Sequence, residues 1–137
     1  MVDDLNRFLA AQSPVFNQVV AELRQGRKTS HWMWFIFPQI KGLGSSSMAN
    51  KFAISGLSEA KAYLDHPILG PRLVQCTQLV NGVENRSIDD IFGYPDNLKF
   101  RSSMTLFHRA APEEHAFRIA IDKYFNGEFD SATDDLL

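Results

Sequence analysis

The segment His31-Trp32-Met33-Trp34-Phe35-Ile36-Phe37-Pro38-Gln39 constrains the chain more than any other, because Trp32, Trp34, Phe35 and Phe37 place four large rings within six residues. Each such ring buries about 150 to 250 Å², so the block belongs at the centre of a core or against something that covers it. Its period is undecidable. The aromatic content favours a strand, whereas Ser30 and Pro38 bracket the block as cap and stop of a short helix. We read it as a short buried helix. The first reading of its rings is core. The second is a pocket wall, where Trp32 and Trp34, on the same side of an extended segment, would stack a base or sugar or grip a peptide. The two are compatible if one face lies in the core and one along a cleft.

Helical periodicity dominates the remainder. Leu5, Phe8 and Leu9 open the chain at helical spacing, and Ser13-Pro14 reads as the N-cap and first position of a second helix. That helix carries Val15, Phe16, Val19, Val20 and Leu23 on one stripe, with Glu22 and Arg24 outside it, and ends at Gly26. A Gly/Ser loop over 40–47 precedes a short turn capped by one of Ser45, Ser46 or Ser47. Ser58 starts the next helix. After Asp65-His66-Pro67 another presents Ile68, Leu69, Leu73, Cys76 and Val80, with Pro71 expected to kink or delay it. Ser87 caps a single turn closed by Gly93, and Asp96 caps a helix carrying Leu98, Met104 and Phe107. Pro112 opens the last long helix, which turns Phe117, Ile121, Tyr124 and Phe125 inward and ends at Gly127. Asp130 or Ser131 caps a final short one. About seven helices with almost no period-two alternation predict an all-α chain, read as one domain over 1–137.

Composition narrows the function classes. Fourteen Lys+Arg against sixteen Asp+Glu leave a net charge of −2, which gives no general pull toward nucleic acid or anionic lipid. One cysteine makes neither an internal disulfide nor a multi-Cys zinc site, and it suits a reducing compartment. No apolar run approaches the roughly 20 residues of a membrane span, and the start has no basic leader, so the expected location is cytoplasmic. No cofactor motif or metal-ligand spacing is visible.

The polar residues with chemical potential surround the aromatic block. His31 at its start suits general acid or base work, with Asp65, Asp96 or one of Ser45 to Ser47 as companions brought in by folding; the alternative is a structural imidazole bonded to a backbone carbonyl. Lys41-Gly42-Leu43-Gly44-Ser45-Ser46-Ser47 reads either as an anion cradle or as a plain turn, since it lacks the GK[ST] ending of a P-loop. Arg27 and Lys28 precede His31, while Lys99 and Arg101 precede Ser102 and Ser103, so convergence of these segments would make a cationic site. The hydroxyls in Arg101-Ser102-Ser103-Met104-Thr105 either face that site or let helices approach closely. Cys76 reads as a small core residue.

The strings GRKTSHWMWFIFPQIKGLGSSS, EAKAYLDHPILGPRL and IFGYPDNLKFRSSMTLF resemble a bacterial family of domains of unknown function, numbered eighteen-ten and sometimes labelled calpastatin-like. The similarity spans about residues 5–137. It implies one mainly helical domain and no assigned catalytic role. The family's motif positions fall on His31, Trp32, Trp34, Pro38, Gln39, Gly42, Gly44, Ser45, His66, Pro67, Gly70, Arg72, Leu73, Gly93, Asp96, Lys99, Ser103 and Thr105. The calpastatin label transfers nothing, because calpain inhibition needs a long flexible chain and this one is hydrophobic and punctuated by caps.

The resulting expectation is a cationic, aromatic-walled pocket for a small anionic, nucleotide- or phosphate-like ligand. Lys28, Trp32, Gln39, Gly42, Gly44, Ser45, Arg72, Lys99, Arg101 and Ser103 are its expected lining, with His31 as acid or base should a hydrolytic or transfer reaction occur. The competing expectation is an interaction module that grips a partner helix or peptide along Trp32 to Phe37.

Overall fold

A computed structural model describes residues 4–137, which form ten helices and no strand. They are α1 (Asn6–Gln12), α2 (Phe16–Arg24), α3 (Met33–Ile36), α4 (Ser47–Lys51), α5 (Leu57–Asp65), α6 (Leu69–Asn81), α7 (Ile88–Phe92), α8 (Asp96–Ala110), α9 (His115–Phe125) and α10 (Ser131–Leu136). The excess over the expected seven lies in α3, α4 and α7, which have four, five and five residues. No described helix is long and apolar enough to cross a membrane.

Helix α8 is the axis of the fold, and α5, α7, α9 and α10 all pack on it. From Ser102 through Phe107 every residue is buried, so this stretch is surrounded rather than amphipathic, as expected of a helix whose apolar and small residues run all the way round. Leu98, expected to point inward, is 47% exposed; two residues before fully buried Phe100, it falls about 200° round the helix from it.

The aromatic block is indeed a short helix. Trp32, Met33, Phe35, Ile36 and Phe37 are buried and only Trp34 is partly exposed. Phe37 meets Phe92 and Phe100 edge-on at 5.8 and 5.0 Å, and Trp32 meets Phe92 at 6.4 Å, geometries that the ring quadrupoles favour. A second aromatic cluster joins Phe8, Tyr63 and Phe107 beneath α1. Between α1 and the block, buried Gln12 donates to the Phe35 carbonyl at 2.7 Å and to the Tyr63 hydroxyl at 2.9 Å. Past the block a single parallel bridge pairs Ile40 with Ile54 and pins the Gly/Ser loop between them.

Several helix starts differ from expectation, and the reasons are physical. Ser13-Pro14 does not cap α2; it lies in a turn closed by the Val15 amide on the Gln12 carbonyl. Pro112 likewise occupies a turn, closed by the Glu114 amide on the Ala111 carbonyl, and the Glu114 side chain caps α9. Proline satisfies a turn as readily as a first helical position, so the signal is ambiguous by two or three residues. Helix α5 starts at Leu57, one residue before Ser58. Helix α8 starts at Asp96, after Pro95, so Asp96 is not its cap and its carboxylate is free for other partners. Pro71 falls in the first turn of α6, where a missing N–H is harmless, and His66 Nδ1 accepts from the Ile68 and Leu69 amides instead. Ser46, the Ser87–Asp90 capping box and Asp130 cap α4, α7 and α10. Gly26 takes φ +73° at the end of α2, and Asn126 rather than Gly127 is the first left-handed residue after α9.

One glycine is required by space alone. A Cβ on Gly70 would lie 2.0 Å from the Leu64 carbonyl oxygen, so the start of α6 meets the end of α5 backbone to backbone. Cys76 is fully buried between helices, and desolvation pushes its thiol up to about 12, as suits a core residue rather than a nucleophile.

Candidate functional site

Two carboxylates organise the region around the aromatic block. Glu22, expected outside the apolar stripe of α2, is only 3% exposed. Its Oε1 accepts from the Thr29 amide (2.7 Å), the Ser30 amide (3.0 Å) and Trp32 Nε1 (3.0 Å), and its Oε2 accepts from Ser30 Oγ (2.6 Å) and Gln18 Nε2 (2.8 Å). Burial pushes this carboxyl upward, but the bonds from Ser30, the Thr29 amide, Gln18 and Trp32 outweigh it and hold the group down to about 2. This explains why Ser30 does not cap α3. Its hydroxyl and amide are committed to Glu22, which draws the 27–32 loop down and seats the Trp32 indole in the core.

The second carboxylate is Asp96. Its Oδ2 lies 2.8 Å from Lys28 Nζ and its Oδ1 lies 3.5 Å from Lys99 Nζ. Each lysine also sits on a tryptophan: Lys28 Nζ is 5.2 Å from the Trp32 ring and Lys99 Nζ is 5.1 Å from the Trp34 ring. The ring quadrupole attracts the ammonium in both cases. One carboxylate therefore bridges two cations, which leaves one positive charge in excess. The Lys28 side chain is 8% exposed and the Lys99 side chain 26%, so the excess charge faces outward at Lys99.

Lys99 opens onto a cleft of about 430 Å³ lined by Trp34, Gln39, Leu43, Gly44, Ser45, Ser46, Ala49, Pro95, Leu98, Lys99, Ser102, Asp130 and Ala132. Its walls come from the aromatic block, the Gly/Ser loop, α8 and the start of α10. The loop is closely folded: a Cβ on Gly44 would lie 2.6 Å from that of Ala49, and Gly42 takes φ +106° with Leu136 of α10 packed beside it. The other wall is fixed by Asp130. Its Oδ2 accepts from the Thr133 amide (3.1 Å), Thr133 Oγ1 (2.5 Å) and Ser102 Oγ (3.0 Å), and its own amide donates to Thr105 Oγ1 (2.9 Å). The costly hydroxyls of α8 are thus explained: Ser102 and Thr105 attach the last helix, while fully buried Ser103 has no partner for its Oγ among the described residues and fits as a small packing residue.

The expected lining divides accordingly. Gln39, Gly44, Ser45 and Lys99 meet in the cleft. Lys28 and Trp32 stand behind it, in contact through the Asp96 bridge. Gly42 shapes the loop from its Leu136 side. Arg101 braces the approach to α10, donating to the Glu128 and Phe129 carbonyls at 2.8 and 3.3 Å, and does not line the cleft. Arg72 lies elsewhere, over the Phe16 ring at 4.6 Å and donating to Gln12 Oε1 at 3.4 Å. His31 is exposed, does not line the cleft and makes no hydrogen bond with Asp65, Asp96 or Ser45 to Ser47. Trp34 and Ser102, each read from the sequence as a possible wall but left out of the expected lining, belong to the cleft, and so does Asp130, which was not expected there. Asp130 announced itself only as a helix cap, and nothing local ties it to Ser102, 28 residues earlier.

No group of three or more His, Cys, Asp or Glu among the described residues is arranged to hold a metal ion. No curated protein matches the chain. In a crystal structure, the conserved hypothetical protein Rv1873 from Mycobacterium tuberculosis is 57% identical and superposes with a TM-score of 0.97 over 98% of this chain and 96% of its own. The family described as "Protein of unknown function (DUF1810)" matches residues 2–137, and the all-helical fold built round the His-Trp-Met-Trp block agrees with the resemblance carried by the three strings: the chain belongs to that family.

Proposed function

We propose that the cleft beside Trp34 binds a small anionic ligand. The observation that carries this reading is the Lys28–Asp96–Lys99 bridge, in which two ammonium groups share one carboxylate. The more exposed of them, Lys99, reaches a wall that also holds an aromatic ring, an amide and hydroxyls, with Asp130 the one carboxylate in that lining. A cleft of about 430 Å³ falls at the small end of the range for metabolite sites, the size of a mononucleotide or less. The competing picture of a peptide groove along Trp32 to Phe37 finds less support, since only Trp34 of that segment reaches the surface. The one hydroxyl–carboxylate pair in the lining, Ser102 and Asp130, is committed to attaching α10, so the reading is one of binding; a catalytic version that uses His31 would need it to act from outside the lining. A lone, buried thiol suits a reducing, cytoplasmic setting.

Titrating AMP and inorganic phosphate into isotope-labelled protein tests the proposal by NMR. Shifts concentrated at Gln39, Ser45 and Lys99, with at least tenfold weaker binding by Lys99→Met, are expected. Shifts scattered over the surface, or none, would overturn it. His31→Ala should leave affinity unchanged.

A further inference from the structure

Anion attraction uses only one side of the cleft. Opposite groups in the same lining hold unspent hydrogen-bonding capacity. All three bonds that Asp130 accepts fall on Oδ2, so Oδ1 has no protein donor among the described residues. The Gln39 side-chain amide and Ser45 Oγ also make no hydrogen bond there; Ser45 is exposed, and Gln39 and Asp130 are partly exposed without a buried unpaired atom. An amide, a hydroxyl and a carboxylate oxygen in the same lining as a partly covered indole can give and accept bonds with several hydroxyls while the ring covers an apolar sugar face. Bare phosphate can accept from the amide and the hydroxyl, but a fully ionised phosphate group has no proton to give the carboxylate oxygen, whereas a sugar hydroxyl has.

We infer that the ligand is a phosphorylated sugar, its phosphate held by Lys99 and its hydroxyls by Asp130 Oδ1 and the Gln39 amide beside Trp34. This rests on the anion-binding reading above. The cleft volume suits a pentose or hexose phosphate, and the acceptor at Asp130 separates such a ligand from simple anions.

Calorimetric titration of the wild-type protein with ribose 5-phosphate, methyl phosphate and ribose provides the test. Ribose 5-phosphate should bind at least tenfold more tightly than either of the others. Asp130→Asn retains an oxygen for the cap but turns the free acceptor into a donor; it should bring ribose 5-phosphate to the affinity that methyl phosphate has for the same variant, since any gain from removing the carboxylate charge is common to the two phosphates. Equal affinities for the two phosphates in the wild type would overturn the sugar assignment and leave anion binding standing. Ribose binding as tightly as ribose 5-phosphate, or no binding by any of the three, would overturn both. Tight ribose 5-phosphate binding untouched by Asp130→Asn, in a variant whose amide spectrum is otherwise native, would refute the role of Asp130.

Discussion

Glu22 and Asp130, near opposite ends of the chain, perform the same structural act, yet they end with different chemical capacity. Each is a carboxylate on or before a helix that gathers donors from a neighbouring segment. Glu22 collects five hydrogen bonds on both oxygens and is almost completely buried. Asp130 collects three on one oxygen and leaves the other open beside a cleft. A saturated carboxylate can only hold structure, since any ligand would have to displace a bond already made. A half-saturated one holds structure and still offers an acceptor. The two tryptophans repeat the contrast: Trp32 gives its N–H to Glu22 and disappears into the core, whereas Trp34 keeps part of its ring on the surface.

Removing Glu22 should produce the largest effect. Glu22→Ala leaves buried amides of Thr29 and Ser30 and the Trp32 indole without an acceptor, and the expected loss is about 3 kcal/mol or more. Thermal melting should show this as a fall of roughly 10 °C. A loss below about 1 kcal/mol would mean that the loop finds other partners and that Glu22 is not what seats Trp32.

Acid titration probes the same group without mutation. Because Glu22 titrates near 2 in the fold against an ordinary 4.5, its contribution is complete above 4.5 and disappears as pH falls toward 2. About 3 kcal/mol at most should be lost over that window. In Glu22→Gln, urea melts repeated between pH 5 and 2 should show a correspondingly shallower decline; an unchanged slope would assign the acid sensitivity to other carboxylates.

Asp130→Ala should cost about 2 kcal/mol, the upper end for a lost helix cap, because it strands the amide and hydroxyl of fully buried Thr133 and the hydroxyl of nearly buried Ser102. A loss equal to that of Glu22→Ala would erase the distinction between the two. The smallest effect is expected from Lys99→Met, within about 0.5 kcal/mol in denaturant unfolding, since Asp96 keeps Lys28 and the Lys99 side chain is 26% exposed. A larger loss would make Lys99 a structural cation rather than one held available for a ligand.

Local chemistry made much of this readable along the chain. The all-α class, the turn at Gly26, the Ser87 capping box and the cap at Asp130 follow from short-range periodicity and from side chains that bond to their own neighbours. Helix starts near proline were less legible because proline's fixed φ serves turns and first helical turns equally. The burial of Glu22 was illegible for another reason: a carboxylate on a polar-looking face is expected to be solvated, and its donors come from a loop that only the folded chain presses against α2.

Four of the residues expected around a pocket, Gln39, Gly44, Ser45 and Lys99, do meet, while Arg72, Arg101 and His31 stand apart from them. Sequence alone determined the helical class, the central place of the aromatic block and the supply of basic and hydroxyl residues near it, because propensity, periodicity and capping act over a few residues. Only tertiary structure decided which tryptophan is core and which is wall, that Asp96 binds two lysines instead of capping a helix, and that Asp130 faces Lys99's cleft. Those outcomes depend on contacts between segments tens of residues apart, and a desolvated charge is fixed by whichever partners the packing brings to it.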